Sequence, residues 1–347
     1  MVRGFQIGTR WRIGSICVLG AAIGFAGAPA TVTRDVAAMG TRLRLTVSAS
    51  DRQTALAASE SAVEAVHAVE RRLSTWRQGT ELDRLNHSEA GAWTRISAEL
   101  ASDLEVAGHW WRETGGAFDP GVASLRRAWD LRGGGRRPTA GDLERAKLSA
   151  GFGSLELAGG RARRVVEGFG VDEGGFGKGI ALRDAAAAAL AGGASCVELD
   201  FGGQLLVSRG CAETKIGIAD PRQRDRVVAE LVLRSGSVAT SGASERFIEV
   251  DGLVLGHVLD PFTGRPATAW GSVTVVADDP VAADCLATAL FVMGPERGFE
   301  WARRRGDVRA VIAVVEGENV VLASTDAALQ VLPVAEDPVV LARREVR

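Results

Sequence analysis

Two side chains near residue 285 have the types and the spacing to hold a cation together. Asp284 and Thr288 stand four residues apart in an apolar segment that predicts a helix over residues 281–293. Positions i and i+4 share one face of a helix, so the carboxylate and the hydroxyl can face one ion. Mg²⁺ prefers such oxygen ligands. An aspartate near a helix start is also a common cap, so the pair alone does not establish a metal site.

A glycine-rich segment offers a place for an anion. Residues 174–179 read Gly-Gly-Phe-Gly-Lys-Gly and precede an alanine-rich stretch typical of a helix. Glycine lets the backbone approach a phosphate closely, and the exposed N–H groups of a helix start favour negative charge. Lys178 adds a full positive charge, although an ordinary turn with a surface lysine would look the same.

His257 and the turn after it form a third candidate for chemistry. His257 precedes the sequence Asp-Pro-Phe-Thr-Gly at residues 260–264. An imidazole titrates near neutral pH and can take a proton from a hydroxyl group. A histidine on a strand can equally be a packing residue, and the Asp-Pro turn is also common between strands.

Together with four more segments, these motifs resemble the ApbE family, the FAD:protein FMN transferases. The segments are Met39-Gly40-Thr41, Leu73-Ser74-Thr75-Trp76, Gly115-Gly116-Ala117-Phe118-Asp119-Pro120 and Val171-Asp172-Glu173. The resemblance covers about residues 34–325, and the order and spacing of the segments make it specific. Glu173 departs from the apolar residue usual at its place, which bears on the packing of the loop more than on its chemistry.

The resemblance implies a role for each motif position. It implies FAD contacts for Met39, Trp76, Ala117, Phe118, Asp119, Asp172, Lys178 and Val258, and Mg²⁺ ligands in Asp284, Thr288 and the backbone of Gly175. His257 is our candidate for the general base. Trp76 would stack on the flavin, although a tryptophan after a helix is also a common core residue.

The implied reaction moves FMN from FAD, the substrate, onto a Ser or Thr hydroxyl of an acceptor flavoprotein. The acceptor would carry a Ser/Thr-Gly-Ala-Thr-like motif, and AMP would leave. Such a site must hold a pyrophosphate, neutralise it and position an alcohol. Two alternatives stay open, namely Mg²⁺-dependent hydrolysis of FAD to FMN and AMP, and a flavin-binding protein without catalysis. Because flavin binding alone needs no metal, Asp284 and Thr288 favour an enzyme.

Composition and charge narrow the class of protein. The chain has 347 residues, of which 46% are hydrophobic, and its net charge is −2. The apolar content suffices for a full core, and the lack of a positive field argues against a nucleic-acid partner. Cys196 and Cys211 have no Cys-x-x-Cys spacing, so we expect buried free thiols, although an oxidising compartment would permit a bridge.

The N-terminal segment predicts export. Arg3, Arg10 and Arg12 precede an apolar run over residues 13–26 and small residues at 26–30, as in a secretory signal. The run is short for a membrane span. We therefore expect a signal peptide or N-terminal anchor over residues 1–30, a transferase domain over 31–329 and a loosely held charged tail over 330–347. The protein would be periplasmic or anchored to the outer face of the cytoplasmic membrane.

The elements that must position these motifs are helical in the first half and mostly strands in the second. Hydrophobic spacing predicts a strand over 33–47, a helix over 52–73 and a helix that begins at a Ser97 cap. Later strands are predicted over 196–199, 204–207, 227–233, 246–250, 253–259, 272–276, 309–315 and 319–323, and a helix over 295–304. This order predicts an α+β fold with mixed sheets and flanking helices around one FAD and magnesium site, not a βαβ array.

Overall fold

The structure is a computed structural model that describes residues 29–242, 247–334 and 339–341. The predicted signal or anchor over residues 1–30 lies outside the described residues, except for its last two. The helices are α1 (Arg52–Leu73), α2 (Glu81–Asn86), α3 (Ala98–Glu113), α4 (Ala123–Ala128), α5 (Ala140–Leu148), α6 (Gly177–Ala191), α7 (Pro280–Met293) and α8 (Pro295–Arg304).

The strands of the first half and centre are β1 (Ala30–Ala38), β2 (Thr41–Ala49), β3 (Thr94–Arg95), β4 (Leu155–Ala158), β5 (Arg161–Arg164), β6 (Ala194–Phe201), β7 (Gln204–Val207), β8 (Thr214–Asp220), β9 (Gln223–Leu233) and β10 (Gly236–Gly242). Those of the last third are β11 (Phe247–Val250), β12 (Leu253–Gly256), β13 (Leu259–Asp260), β14 (Arg265–Pro266), β15 (Gly271–Ala277), β16 (Arg309–Glu316), β17 (Asn319–Ser324), β18 (Val331–Pro333) and β19 (Val339–Leu341).

A nine-stranded sheet is the centre of the fold. Its strand order is β1-β2-β6-β7-β10-β15-β16-β17-β19. Neighbouring strands pair antiparallel, except that β17 and β19 pair parallel. A smaller sheet, β18-β9-β8, and three short sheets complete the strands of the described residues. The predicted α+β class with mixed sheets is confirmed.

Both faces of the large sheet are covered by other elements. Successive residues of a strand point to opposite sides of the sheet, so one strand contributes to both cores. In β16, Ala310 and Ile312 belong to the main core with residues of α1, α6 and α7. Val311 and Ala313 instead pack with buried residues of β8 and β9 in a second core. The molecule therefore has a helical layer, the large sheet and a small sheet, in that order.

Local signals in the sequence explain the long helices of the first half. The Asp51 side chain accepts a hydrogen bond from the Thr54 N–H and starts α1, as an N-cap does. Ser97 caps α3 in the same way through the Leu100 N–H. Both predicted helices are confirmed, and α7 and α8 match their predicted ranges closely.

Several sequence expectations were wrong. The single strand expected over 33–47 is a hairpin of β1 and β2, because Met39 (φ 47°) and Gly40 (φ 72°) adopt a left-handed turn. The strand expected over 253–259 is likewise broken after Gly256. The tail is not uniformly loose, since β18 pairs with β9 and β19 pairs with β17.

The expectation of free thiols at Cys196 and Cys211 was also wrong. The two residues form a disulfide, and their Cα atoms lie 4.9 Å apart. Cys196 is in β6 and Cys211 follows β7, so the hairpin between these strands brings the sulfurs together. The linear spacing of the cysteines does not reveal this pairing. Cys285 is a buried free cysteine. No helix among the described residues is long and apolar enough to cross a membrane.

Candidate functional site

A cavity of about 790 Å³ opens where the predicted motifs meet. Its volume is in the range of pockets that bind cofactors. The predicted residues that line it are Met39, Trp76, Ala117, Phe118, Asp119, Asp172, Gly175, Lys178, His257, Val258 and Thr288. Asp284 lies against this lining, since its Oδ1 is 3.8 Å from the Nζ of Lys178. The structure thus gathers all of the predicted site residues around one cavity, and their individual roles stay predictions.

Helices α6 and α7 meet closely beside the cavity. A Cβ placed on Gly179 would lie 2.6 Å from the carbonyl oxygen of Pro280, so only glycine permits this approach. The Gly179 N–H donates to Oδ2 of Asp284 over 3.0 Å. The packing of the two helices therefore fixes the carboxylate of α7 against the start of α6.

Asp284 is a buried carboxylate with few compensating contacts. Burial raises the pKa of its carboxyl, while Lys178 and the N–H groups of Gly179 and Lys178 act in the opposite direction. The sequence interpretation directed the N–H groups of this helix start at a phosphate. In the structure, the N–H groups of Lys178 and Gly179 point at Asp284 instead, and Lys178 lines the cavity.

The residues around Asp284 fit a magnesium ion. A Cβ on Gly175 would lie 3.1 Å from Oγ1 of Thr288, so the Gly175 backbone and the Thr288 hydroxyl are neighbours. Thr288 stands one turn after Asp284 on α7. A carboxylate, a hydroxyl and a backbone carbonyl are hard oxygen donors of the kind that Mg²⁺ takes, and a divalent cation would compensate the buried charge of Asp284.

Trp76 presents a large aromatic surface at the cavity. The residue is 59% exposed, so the alternative of a core tryptophan is wrong. It lies in the segment between α1 and α2, which is not helical. The guanidinium carbon of Arg132 is 4.1 Å from the centre of its ring. One face of the indole is therefore covered by a cation.

Asp119 is partly buried and follows two buried residues. Ala117 and Phe118 belong to the main core. The Asp119 carboxylate accepts from the N–H groups of Gly121 (2.7 Å) and Phe152 (2.9 Å) and from the indole of Trp111 (3.1 Å). Burial nevertheless raises the pKa of Asp119 to about 6. Its oxygens already accept hydrogen bonds from groups within the protein. Contact between Asp119 and FAD stays a prediction.

Two arginines that the sequence reasoning missed surround Asp172. Nε of Arg126 forms an ion pair with Oδ2 of Asp172, and Nη2 of Arg132 lies 3.6 Å from the same oxygen. The other oxygen of Asp172 accepts from the Gly174 N–H over 2.8 Å. Arg126, Arg132 and Arg224 all line the cavity. These arginines lie outside the motifs on which the sequence prediction of the site rested.

His257 and Val258 line the cavity from the segment just before β13. His257 is partly exposed and Val258 is buried. Met39 reaches the site from the β1–β2 turn, and its methyl group would be 3.1 Å from a Cβ on Gly177. The Met39 N–H donates to Glu70 of α1, which fixes the turn.

A second group of possible metal ligands lies elsewhere on the described part of the chain. Cys196, Glu198 and Cys211 have donor atoms within 4.8 Å of one another. The two sulfurs are bonded to each other, so they cannot act as thiolate ligands while the disulfide is intact.

Comparison with known proteins agrees with this geometry. The model of the ApbE family matches residues 39–312. The FAD:protein FMN transferase of Klebsiella pneumoniae (strain 342) is 30% identical over 295 residues, which cover 81% of this chain and 83% of that protein. The protein of the same name from Treponema pallidum (strain Nichols) is 31% identical over 328 residues, covering 87% and 90%.

Solved structures give the same result for the fold. The ApbE protein of Thermotoga maritima superposes with a TM-score of 0.75 at 29% identity, covering 82% of this chain and 94% of that one. The flavinyl transferase ApbE of Pseudomonas stutzeri, in its apo form, superposes with a TM-score of 0.76 at 25% identity, covering 86% and 95%. The match of the family model over most of the chain, with the motifs gathered around one cavity, shows that this protein belongs to the ApbE family.

Proposed function

We propose that this protein is an FAD:protein FMN transferase that uses Mg²⁺ and attaches FMN to a Ser or Thr hydroxyl of an acceptor protein. The observation that carries the proposal is the arrangement of Asp284, Thr288, Gly175 and Lys178 beside a cavity that also holds Trp76 and His257. Residues that could bind the metal, the pyrophosphate and the flavin, and one that could accept the proton, therefore lie around one cavity.

The proposed chemistry breaks the bond between the FMN phosphorus and the oxygen that bridges it to AMP. The acceptor hydroxyl attacks that phosphorus, AMP leaves, and the proton of the hydroxyl passes to His257. Lys178 stabilises the negative charge of the pyrophosphate, and Trp76 holds the isoalloxazine ring by stacking. Positioning and charge stabilisation supply most of the rate in phosphoryl transfer.

Asp284, Thr288 and the Gly175 carbonyl would hold Mg²⁺ in this site. The ion would neutralise charge on the pyrophosphate when bound. Without it, the Lys178 ammonium and the backbone N–H groups of Lys178 and Gly179 offset the charge of the Asp284 carboxylate.

The proposed acceptor carries a Ser/Thr-Gly-Ala-Thr-like motif and lies on the outer side of the cytoplasmic membrane. Export of this protein, as a periplasmic or anchored form, is supported by the Arg-flanked apolar start of the sequence. The Cys196–Cys211 disulfide also supports it, because disulfides persist in oxidising compartments.

Purified protein incubated with FAD, Mg²⁺ and an acceptor fragment tests the activity. We expect acid-stable flavin fluorescence on the acceptor band and release of one AMP for each flavin attached. Asp284→Ala or a chelator should abolish transfer. Asp278→Ala is the matched control, because Asp278 is an exposed carboxylate just before α7.

Two results would contradict the proposal. Rapid AMP release at a similar rate without any acceptor would instead indicate FAD hydrolysis. Full activity of Asp284→Ala, or of the native protein in chelator, would remove the metal from the mechanism.

A further inference from the structure

The guanidinium group of Arg132 connects the segment of Thr75 to that of Asp172 and Glu173 at the cavity. It donates to the carbonyl oxygen and to the hydroxyl of Thr75. It lies 3.6 Å from Oδ2 of Asp172 and 3.8 Å from Oε2 of Glu173. The Arg132 side chain is only 20% exposed. A planar group with several fixed donors suits such a set of partners, and a lysine could not reproduce it.

Glu173 also binds Thr75, the residue that Arg132 contacts. It is buried, and its carboxylate accepts from the N–H of Thr75 over 2.9 Å and from the Thr75 hydroxyl. Burial and the charge of Asp172 raise the pKa of Glu173. A buried carboxylate needs such partners. Thr75 and Arg132 supply these partners to the carboxylate of Glu173.

These contacts fix the residue next to Trp76. Thr75 is held through its N–H, its carbonyl oxygen and its hydroxyl. Arg132 at the same time covers one face of the Trp76 ring. Since Trp76 is 59% exposed, the other face stays open for a flat ligand. A ring that is already held in place loses less conformational freedom when a ligand stacks on it.

We infer that Arg132, together with Glu173, positions Trp76 so that its open face is ready to receive the isoalloxazine ring of the flavin. Arg132 is thus a positioning residue that acts through Trp76. The inference rests on the proposed use of FAD. It applies to binding of the flavin half of FAD and not to the adenosine half.

Equilibrium binding of the two halves of FAD tests this inference without any transfer assay. FMN and AMP both carry one phosphate, so a general loss of positive charge would weaken both. We expect Arg132→Ala to weaken FMN binding by about tenfold, as loss of a stacking contact does, and to leave AMP binding within about twofold. Arg163→Ala is the matched control, because Arg163 lies 4.8 Å from the ring of Trp93, away from the cavity lining.

A double variant separates positioning from a direct contact with the ligand. If Arg132 acts through Trp76, the variant Trp76→Ala/Arg132→Ala should bind FMN no more weakly than Trp76→Ala alone. Arg132→Lys keeps the charge and should fold even if Arg132→Ala does not. We expect Arg132→Lys also to lose FMN affinity, because it lacks the planar fork.

Unchanged FMN affinity in the folded Arg132 variants would overturn the inference, as would equal losses for FMN and AMP or additive effects in the double variant. A wild-type protein that binds no FMN would overturn it too. If FMN binding follows the expected pattern but no acceptor is ever flavinylated, the positioning role stands and the proposed transferase function fails. The two failures are therefore distinguishable.

Discussion

Removal of the proton from the acceptor hydroxyl falls to His257 in the proposed reaction. His257→Ala should lower the rate of FMN transfer by about 10²-fold to 10⁴-fold, as expected for loss of a general base. Binding of FAD should stay close to wild type, because Trp76 and Lys178 are intact. Transfer rates measured over about pH 6–8, where an imidazole titrates, check this prediction.

His109→Ala serves as the control for this variant, because His109 is exposed on α3 and does not line the cavity. A wild-type transfer rate in His257→Ala across that pH range would make His257 a structural residue. The proton would then pass to the Asp260 turn or to solvent.

Asp119 is expected to change its charge within the working pH range of most enzymes. Burial raises the pKa of its carboxyl from 3.8 to about 6. The folded protein therefore binds this proton more tightly than the unfolded chain does. It follows that the contribution of Asp119 to the free energy of unfolding falls as pH rises from about 4 to about 6, by at most about 3 kcal/mol.

Carbon NMR of the Asp119 carboxyl gives its titration midpoint directly, and we expect a value near 6. Urea unfolding of the wild type and of Asp119→Asn at several pH values should show the two stabilities diverging over the same range. A midpoint below 4 would mean that its three hydrogen bonds outweigh burial.

Single residues of the site could be predicted only where a motif marked them. Asp284, Thr288 and Lys178 combine a useful side chain with an informative spacing, and the structure places them together. Arg126 and Arg132 have neither, because their importance arises from contacts with Asp172 and Thr75, which are distant in sequence. The sequence likewise does not reveal that Glu173 is buried and bound by Thr75, which is distant in sequence.

At the scale of elements, the contact between α6 and α7 is the feature on which the site most depends. A Cβ on Gly179 would lie 2.6 Å and 2.7 Å from backbone atoms of Pro280 and Val281. Gly179→Ala should therefore force the helices apart, lower the free energy of unfolding by about 1–3 kcal/mol and weaken the proposed transfer, because the hydrogen bond to Asp284 would lengthen.

Gly141→Ala is the matched control, since Gly141 is an exposed helical glycine in α5 with only the end of the Arg145 side chain nearby. Alanine there should be neutral or stabilise by up to about 1 kcal/mol. Urea unfolding and transfer assays on both variants check the pair. Equal stability of the two variants would show that the close approach of α6 and α7 is not required.

Element boundaries could be predicted where local signals dominate. Caps at Asp51 and Ser97 and the apolar spacing after them defined α1 and α3. The short helices α2 and α4 and strand β8 escaped prediction, because they carry too few residues or too weak an alternation for a periodic signal. The break between β1 and β2 depends on Met39, whose left-handed backbone is unusual for that residue type.

At the scale of the whole molecule, the large sheet is protected on both faces. The main core joins α1, α6 and α7 to the sheet, and the second core joins the sheet to β8 and β9. The order of the layers could not be predicted from the sequence, because the residue pattern of strands β6 to β10 does not indicate which sheet each strand joins. The Cys196–Cys211 bond secures the β6–β7 hairpin within this arrangement.

The number of free thiols should indicate both the compartment of the protein and whether its N-terminal signal has been removed. The sequence holds Cys17, Cys196, Cys211 and Cys285. If the protein is exported and its signal is removed, the denatured protein should present one free thiol, that of Cys285. An uncleaved anchor would add the thiol of Cys17, and a reduced cytosolic protein would present all four. Alkylation of denatured protein from each cell fraction, followed by intact mass measurement, distinguishes these cases.

The same bond should contribute to stability. It closes a loop of sequence separation 15, for which loop entropy predicts about 3 kcal/mol. Cys196→Ser/Cys211→Ser should therefore lose about that much free energy of unfolding and resemble wild-type protein treated with a reductant. Full-length protein found only in the cytosol, with four alkylated thiols and an unfolding curve insensitive to reductant, would contradict export and the stabilising role of the disulfide together.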